Sequence, residues 1–177
     1  MATRTRLTLE EFLALPGIDE RRLELIDGEV YEKMSPRWGH GFVAGELYAL
    51  FRDHGFASVE PRAIIPPAGT IEATSPIPDF AFYRSAPPAA MEWMTRPPDL
   101  LVEILSPGQR LPDIRAKLDA YLAFGVGEVW VIDLQARCVD VFAGDTRRHL
   151  NDGDMLAPLS VPALHIDLAD FFDRAGV

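Results

Sequence analysis

The 177-residue chain carries 17 Lys+Arg against 27 Asp+Glu, a formal net charge of −10, and is 48% hydrophobic and 25% charged. This is the balance of a globular chain with enough apolar mass for one core, read as a single domain over residues 1–177, and its acidity argues against extensive contact with phosphates, which calls for a basic face. No run approaches the ~20 apolar residues of a membrane span; no secretory block opens the chain, so a cytoplasmic location with no membrane partner is expected; and one cysteine with four histidines excludes an internal disulfide and a Cys/His zinc cluster.

Thr8, followed three residues later by Glu11, reads as a capping box, with Leu9, Phe12 and Leu13 giving a short first helix. In LELIDGEVYE, Asp27-Gly28 between two strand-favouring runs predicts a tight β-hairpin with Glu24 on its first strand. Residues 41–54 place Phe42, Val43, Leu47, Leu50 and Phe51 on one helical side, with His40 near the start and Gly55 as C-cap. Extended segments are expected over 58–65, 77–83 and 100–105, separated by proline-rich connections such as SAPPAAMEWMTRPP, an ordered surface loop.

Residues 113–124 are helical again, with Pro112 in the first turn and Gly125 just past the end. A buried strand follows over 129–132. The tail offers the strand VDVF, a turn at NDGD, a further strand near 164–166 and a short helix around Asp170. No internal repeat or low-complexity tract is present.

The informative segment is LLVEIL, in which Leu100, Leu101, Val102, Ile104 and Leu105 surround one charge, Glu103. A run this apolar belongs to a strand covered on both faces. Leaving even a neutral polar group uncompensated there costs about 2–7 kcal/mol, so the carboxylate needs either a buried Arg or Lys partner or a cation. Pro78-Asp79 opens a second apolar strand, PDFAFY, in which Asp79, Ala81 and Tyr83 share one face. Two carboxylates on adjacent strands, with the Ile104 carbonyl nearby, offer the all-oxygen environment that magnesium prefers, with manganese as a substitute.

Lys117 lies on the following helix, one turn on from Asp113. It is either a surface lysine paired with Asp113 or an ammonium reaching over the strand ends to orient water and neutralise a phosphate. Arg110, Arg115 and Lys117 face only Asp113 across eight residues, a local positive excess able to draw a phosphate.

LTLEEFLALP, LELIDGEV, SPRWGH, IPDFAF, PDLLVEILSP and DIRAKLDAYLAFGVGEVWVID occur in an order and spacing that together resemble the Uma-type restriction endonuclease family of the PD-(D/E)XK nuclease superfamily, over residues 7–142. The resemblance implies an α/β fold, a mixed central β-sheet flanked by helices and restriction-endonuclease-like, with the N-terminal helix and β-hairpin. It implies Asp79 and Glu103 as metal carboxylates. The superfamily's lysine two residues after the glutamate is here Leu105, and the family pattern moves it to Lys117. Glu24 and His40 match an acidic residue and a histidine that reach the metal through water, against plain readings as a hairpin surface charge and a helix-start side chain. Asp133 also matches, but a carboxylate at a strand end caps a turn, and it is read as structural.

The function expected is metal-dependent endonuclease action on nucleic acid, DNA before RNA, with Asp79, Glu103, Lys117, Glu24 and His40 as catalytic residues and Asp79, Glu103 and Ile104 on the metal. The alternative is a catalytically inactive nuclease-fold module for dimerisation or partner binding. An acid–base carboxylate pair acting on a glycoside ranks last, because no aromatic-rich sugar platform is visible. Trp38, Trp93 and Met94 are candidates to seal a homodimer or to cover the core.

Overall fold

The computed structural model describes residues 6–33, 38–87 and 92–176. Helix α1 (Leu9–Leu13) starts as expected: the Glu11 amide donates to Thr8 Oγ1 at 3.2 Å and the Thr8 amide to Glu11 Oε2 at 2.8 Å. Strands β1 (Leu23–Ile26) and β2 (Glu29–Glu32) pair antiparallel across Asp27 and Gly28, whose φ values of 50° and 75° meet the left-handed demand of a two-residue hairpin turn.

Helix α2 (Trp38–Phe51) begins three residues earlier than the apolar stripe indicates, so His40 sits in its first turn. Gly55 is not its left-handed cap. A Cβ there would lie 2.3 Å from the Tyr83 carbonyl oxygen, so glycine is required by the close approach of β3 (Phe56–Val59) to β4 (Phe80–Tyr83). The extended stretch expected over 58–65 leaves the sheet at Val59, because Glu60 turns with φ of 51° and Pro61 has no N–H to donate. Ala63 and Ile65 make only isolated bridges, to Met94 and Thr74.

Strand β5 (Leu100–Ile104) is followed by a 3-10 turn (Leu111–Ile114), helix α3 (Arg115–Phe124), closed by Gly125 at φ 94°, and β6 (Glu128–Asp133). Strands β7 (Cys138–Ala143), β8 (Thr146–Asn151), β9 (Met155–Leu156) and β10 (Ile166–Asp167) and helix α4 (Leu168–Ala175) complete the chain. Strand β8, TRRHLN, has no apolar alternation to betray it; it is an exposed edge strand whose charges discourage pairing with other chains.

The main sheet has the order β3-β4-β5-β6-β7-β8, antiparallel except for the parallel pair β5 and β6 joined through α3. It is the mixed, helix-flanked sheet that the sequence implies. One face packs Phe80, Phe82, Val102 and Trp130 against Leu47 and Phe51 of α2 and Phe172 of α4. The other packs Ala81, Leu101 and Val131 against Leu118 and Tyr121 of α3. Alternation along β4 and β5 therefore delivers Asp79 and Glu103 to the α3 face.

Met94 is buried in the core, exchanging backbone hydrogen bonds with Arg62 and Ile64, and Trp93 is half-buried. Trp38 alone of the three expected apolar candidates is open, 86% exposed. Parts of the SPRWGH segment and of the proline-rich loop, residues 35–37 and 88–91, lie outside the described residues. Among the described residues no helix is long and apolar enough to cross a membrane.

The β1–β2 hairpin forms its own small sheet, tied to the body by backbone hydrogen bonds between Leu25 and Ser75 and by Arg62. The buried Arg62 guanidinium donates to Asp19 Oδ1 at 2.7 Å, the Leu23 carbonyl at 2.8 Å and the Ile18 carbonyl at 3.1 Å, and lies over the Phe12 ring. Arg62→Ala would strand the Leu23 and Ile18 carbonyls and is expected to destabilise the fold by about 1–3 kcal/mol in urea unfolding; a loss within error of zero would show that the hairpin is held by other contacts.

Candidate active site

Glu103, at the middle of the apolar β5 run, meets two partners through Oε1: the Tyr121 hydroxyl donates at 2.5 Å and the Lys117 ammonium lies at 3.3 Å. Both come from α3, one turn apart, so the helix presents them together. Lys117 also lies 2.7 Å from Glu24 Oε1 on β1, and the same Glu24 oxygen accepts the Ile77 amide at 2.7 Å. One ammonium thus bridges two carboxylates from separate elements. Glu24 is buried, which rules out its reading as a hairpin surface charge.

Lys117 is not paired with Asp113. Asp113 instead accepts the Arg110 amide at 2.7 Å and caps the 3-10 turn. The local positive excess is smaller than the sequence window implies, because Arg115 pairs with Asp119, 2.8 Å away and just beyond that window.

Asp79, 1% exposed, accepts the Ile104 amide at Oδ2 (2.6 Å), so β5 holds the second carboxylate in place through the backbone of the residue next to Glu103. Its Oδ1 accepts the ammonium of Lys33, which follows β2 and also donates to the Ile77 carbonyl at 2.6 Å. His40 Nε2 lies 2.9 Å from the same Oδ1, yet off the hydrogen-bonding direction, and is left as a buried polar atom with no hydrogen-bond partner. Beyond Lys33, Glu60 Oε1 lies 4.0 Å from the ammonium and is held by Arg22 at 2.5 Å.

These groups line a cavity of about 420 Å³ whose wall includes Glu24, Lys33, His40, Asp79, Glu103 and Lys117. All five side chains singled out from the sequence meet there, and Ile104 lines it too. Asp133 does not: its Oδ1 accepts the amides of Gln135 and Ala136 at 2.9 and 3.0 Å, a turn cap. Sequence reasoning missed Lys33 and Tyr121. The signals were parity and helical spacing: Lys33 hydrogen-bonds across the hairpin to Arg22, two residues before Glu24 and on its face, and Tyr121 is one turn on from Lys117.

Burial pushes the Asp79 carboxyl up, but the His40 ring and the Lys33 ammonium outweigh it and hold it well below the usual carboxylate range. Burial raises Glu103, with Lys117 opposing and the nearby Asp79 charge adding to the rise. Burial lowers Lys117, but Glu103 and Glu24 prevail and push it up, so it stays an ammonium. Burial also pushes the Tyr121 hydroxyl well up, keeping it a donor.

Among the described residues, no three His, Cys, Asp or Glu side chains converge as a ready-made metal ligand set, since ammonium groups stand among the carboxylates. The chemistry nevertheless suits a hard cation: three buried carboxylates face one cavity, and the His40 ring stands beside one of them.

A family model described as "Uma2: Putative restriction endonuclease" matches residues 9–169. The fold is similar to the crystal structure of a "putative nuclease belonging to DUF820" from Anabaena variabilis, with a TM-score of 0.82 and 24% identity over 96% of this chain and 99% of that one. No curated protein matches the chain.

The depressed Asp79 carboxyl has a definite sign in stability. Folding lowers its proton affinity, so its contribution is complete above the unfolded value of ~3.9 and is lost as pH falls below it. Asp79→Asn is expected to flatten the acid limb of the stability curve, followed by urea unfolding from neutral pH downward. An acid slope identical to that of the parent would show that Asp79 carries no such linkage.

Proposed function

The chain belongs to the Uma2 family, and from that membership and its ammonium-bridged carboxylate cavity we propose a nuclease that hydrolyses phosphodiester bonds in DNA with magnesium as cofactor. The single observation that carries the reading is Lys117, its side chain 12% exposed and set between Glu24 and Glu103 at the wall of an open cavity. A lysine paired for stability alone has no need of a cavity beside it. Asp79, Glu103 and the Ile104 carbonyl would hold magnesium, or manganese in its place, which when bound supplies positive charge to phosphate oxygens and acidifies water.

The chain's own groups divide the remaining work. Tyr121 fixes Glu103 through Oε1, and the Ile104 amide fixes Asp79 through Oδ2, so neither carboxylate is free to rotate. Lys117, held charged by two carboxylates, donates to a phosphate oxygen as negative charge develops and orients the attacking water. Glu24 keeps Lys117 at that position through the contact that also anchors the Ile77 amide. His40, whose Nε2 lies 2.9 Å from Asp79 Oδ1 at the cavity wall, would hydrogen-bond that water.

Duplex and single-stranded DNA incubated with magnesium or manganese should be cut by the parent protein. Asp79→Ala and Lys117→Ala should each lose at least about a hundredfold in rate, the scale of removing one preorganised charged group. Cleavage at equal rates by parent and both variants would mark a contaminant and sink the assignment. Failure of the folded parent to cut or to bind manganese would favour the non-catalytic module.

A further inference from the structure

Both Asp79 oxygens are engaged: Oδ2 accepts the Ile104 amide, while Oδ1, the more crowded, holds the Lys33 ammonium and faces the His40 ring. A cation that binds Asp79 through Oδ1 competes with Lys33 for that oxygen, and one that binds through Oδ2 meets the ammonium's repulsion from beside it. Lys33 has somewhere to go, because Glu60 Oε1 lies 4.0 Å from its nitrogen, is fixed in place by two hydrogen bonds from Arg22, and carries a full negative charge. Movement of a few ångströms exchanges one carboxylate partner for another without leaving the ammonium unpaired.

We propose that Lys33 is a resident counter-ion of Asp79, which yields its place to a divalent cation and passes to Glu60. The physical need is clear from burial. Side chains of Asp79 and Lys33 are 2% and 11% exposed, and an unpaired carboxylate at such a site is costly, so the protein supplies its own cation when no metal is there. Lys33 then sets metal affinity by competition, and Glu60 acts as a positioning residue through Lys33. This rests on the metal-dependent reading of the same site.

Manganese binding measured calorimetrically on the folded full chain tests it without an activity readout. Lys33→Met is expected to bind manganese at least about tenfold tighter than the parent, since both competition and repulsion are removed. Glu60→Gln is expected to weaken binding in the parent background and to have little effect in the Lys33→Met background; equal weakening in both would reduce Glu60 to a distant charge and overturn the transfer. Because Lys33→Met leaves Asp79 unpaired and could unfold, the parent labelled at its lysine Nζ provides a second readout, in which magnesium should shift the Lys33 resonance. No shift on saturation, or equal manganese affinity in parent and Lys33→Met with cleavage intact, overturns the role of Lys33 alone. Absence of metal binding in both proteins overturns it together with the metal-dependent reading.

Discussion

Carboxylates buried in the central sheet govern the arrangement around them. Glu103 lies on β5, flanked on both sides by strands, where water cannot reach it freely, and Asp79 lies beside it at the start of β4. Buried charge is tolerated only with partners in good geometry. No strand next to Glu103 carries a cation on that face, so the partners come from outside the sheet: Lys117 and Tyr121 from α3, Lys33 from the end of the hairpin. The docking of α3 and of the hairpin is thus an electrostatic requirement as well as a hydrophobic one.

The net charge of the whole chain says little about this region. Glu24, Glu60, Asp79 and Glu103 are met by Arg22, Lys33 and Lys117 in two groups of ion pairs, Arg22–Glu60–Lys33–Asp79 and Glu24–Lys117–Glu103. Local balance, not the −10 of the molecule, determines what charge the cavity can accept.

Much of this was legible in the sequence where a rule of local physics applied. A lone Glu in LLVEIL is conspicuous because apolar neighbours make its burial unavoidable, and the Asp-Gly turn fixed the hairpin register that places Glu24. Lys33 was hidden because a lysine at the end of a short, exposed strand looks like a solvated charge, and its partner Asp79 is 46 residues away. Tyr121 was hidden because an aromatic side chain at helical spacing looks like core; it is core, with its hydroxyl turned to Glu103. Strand β8 escaped because an edge strand exposed to solvent needs no hydrophobic pattern. In each case the deciding contact joins distant segments, which periodicity does not record.

The hairpin that carries Glu24 and precedes Lys33 shares no strand with the main sheet and is fastened through Arg62, backbone bonds near Ser75 and the polar contacts of Glu24 and Lys33 themselves. Local opening at a lower free energy than the core is expected first in an element that lies outside the main sheet. Every brief detachment removes the ammonium from Asp79 and one of the two carboxylates from Lys117, leaving the six-stranded sheet intact. The charge arrangement of the cavity is therefore complete only while this arm stays seated, so a substitution far from the carboxylates would alter it in a molecule whose core still appears fully folded.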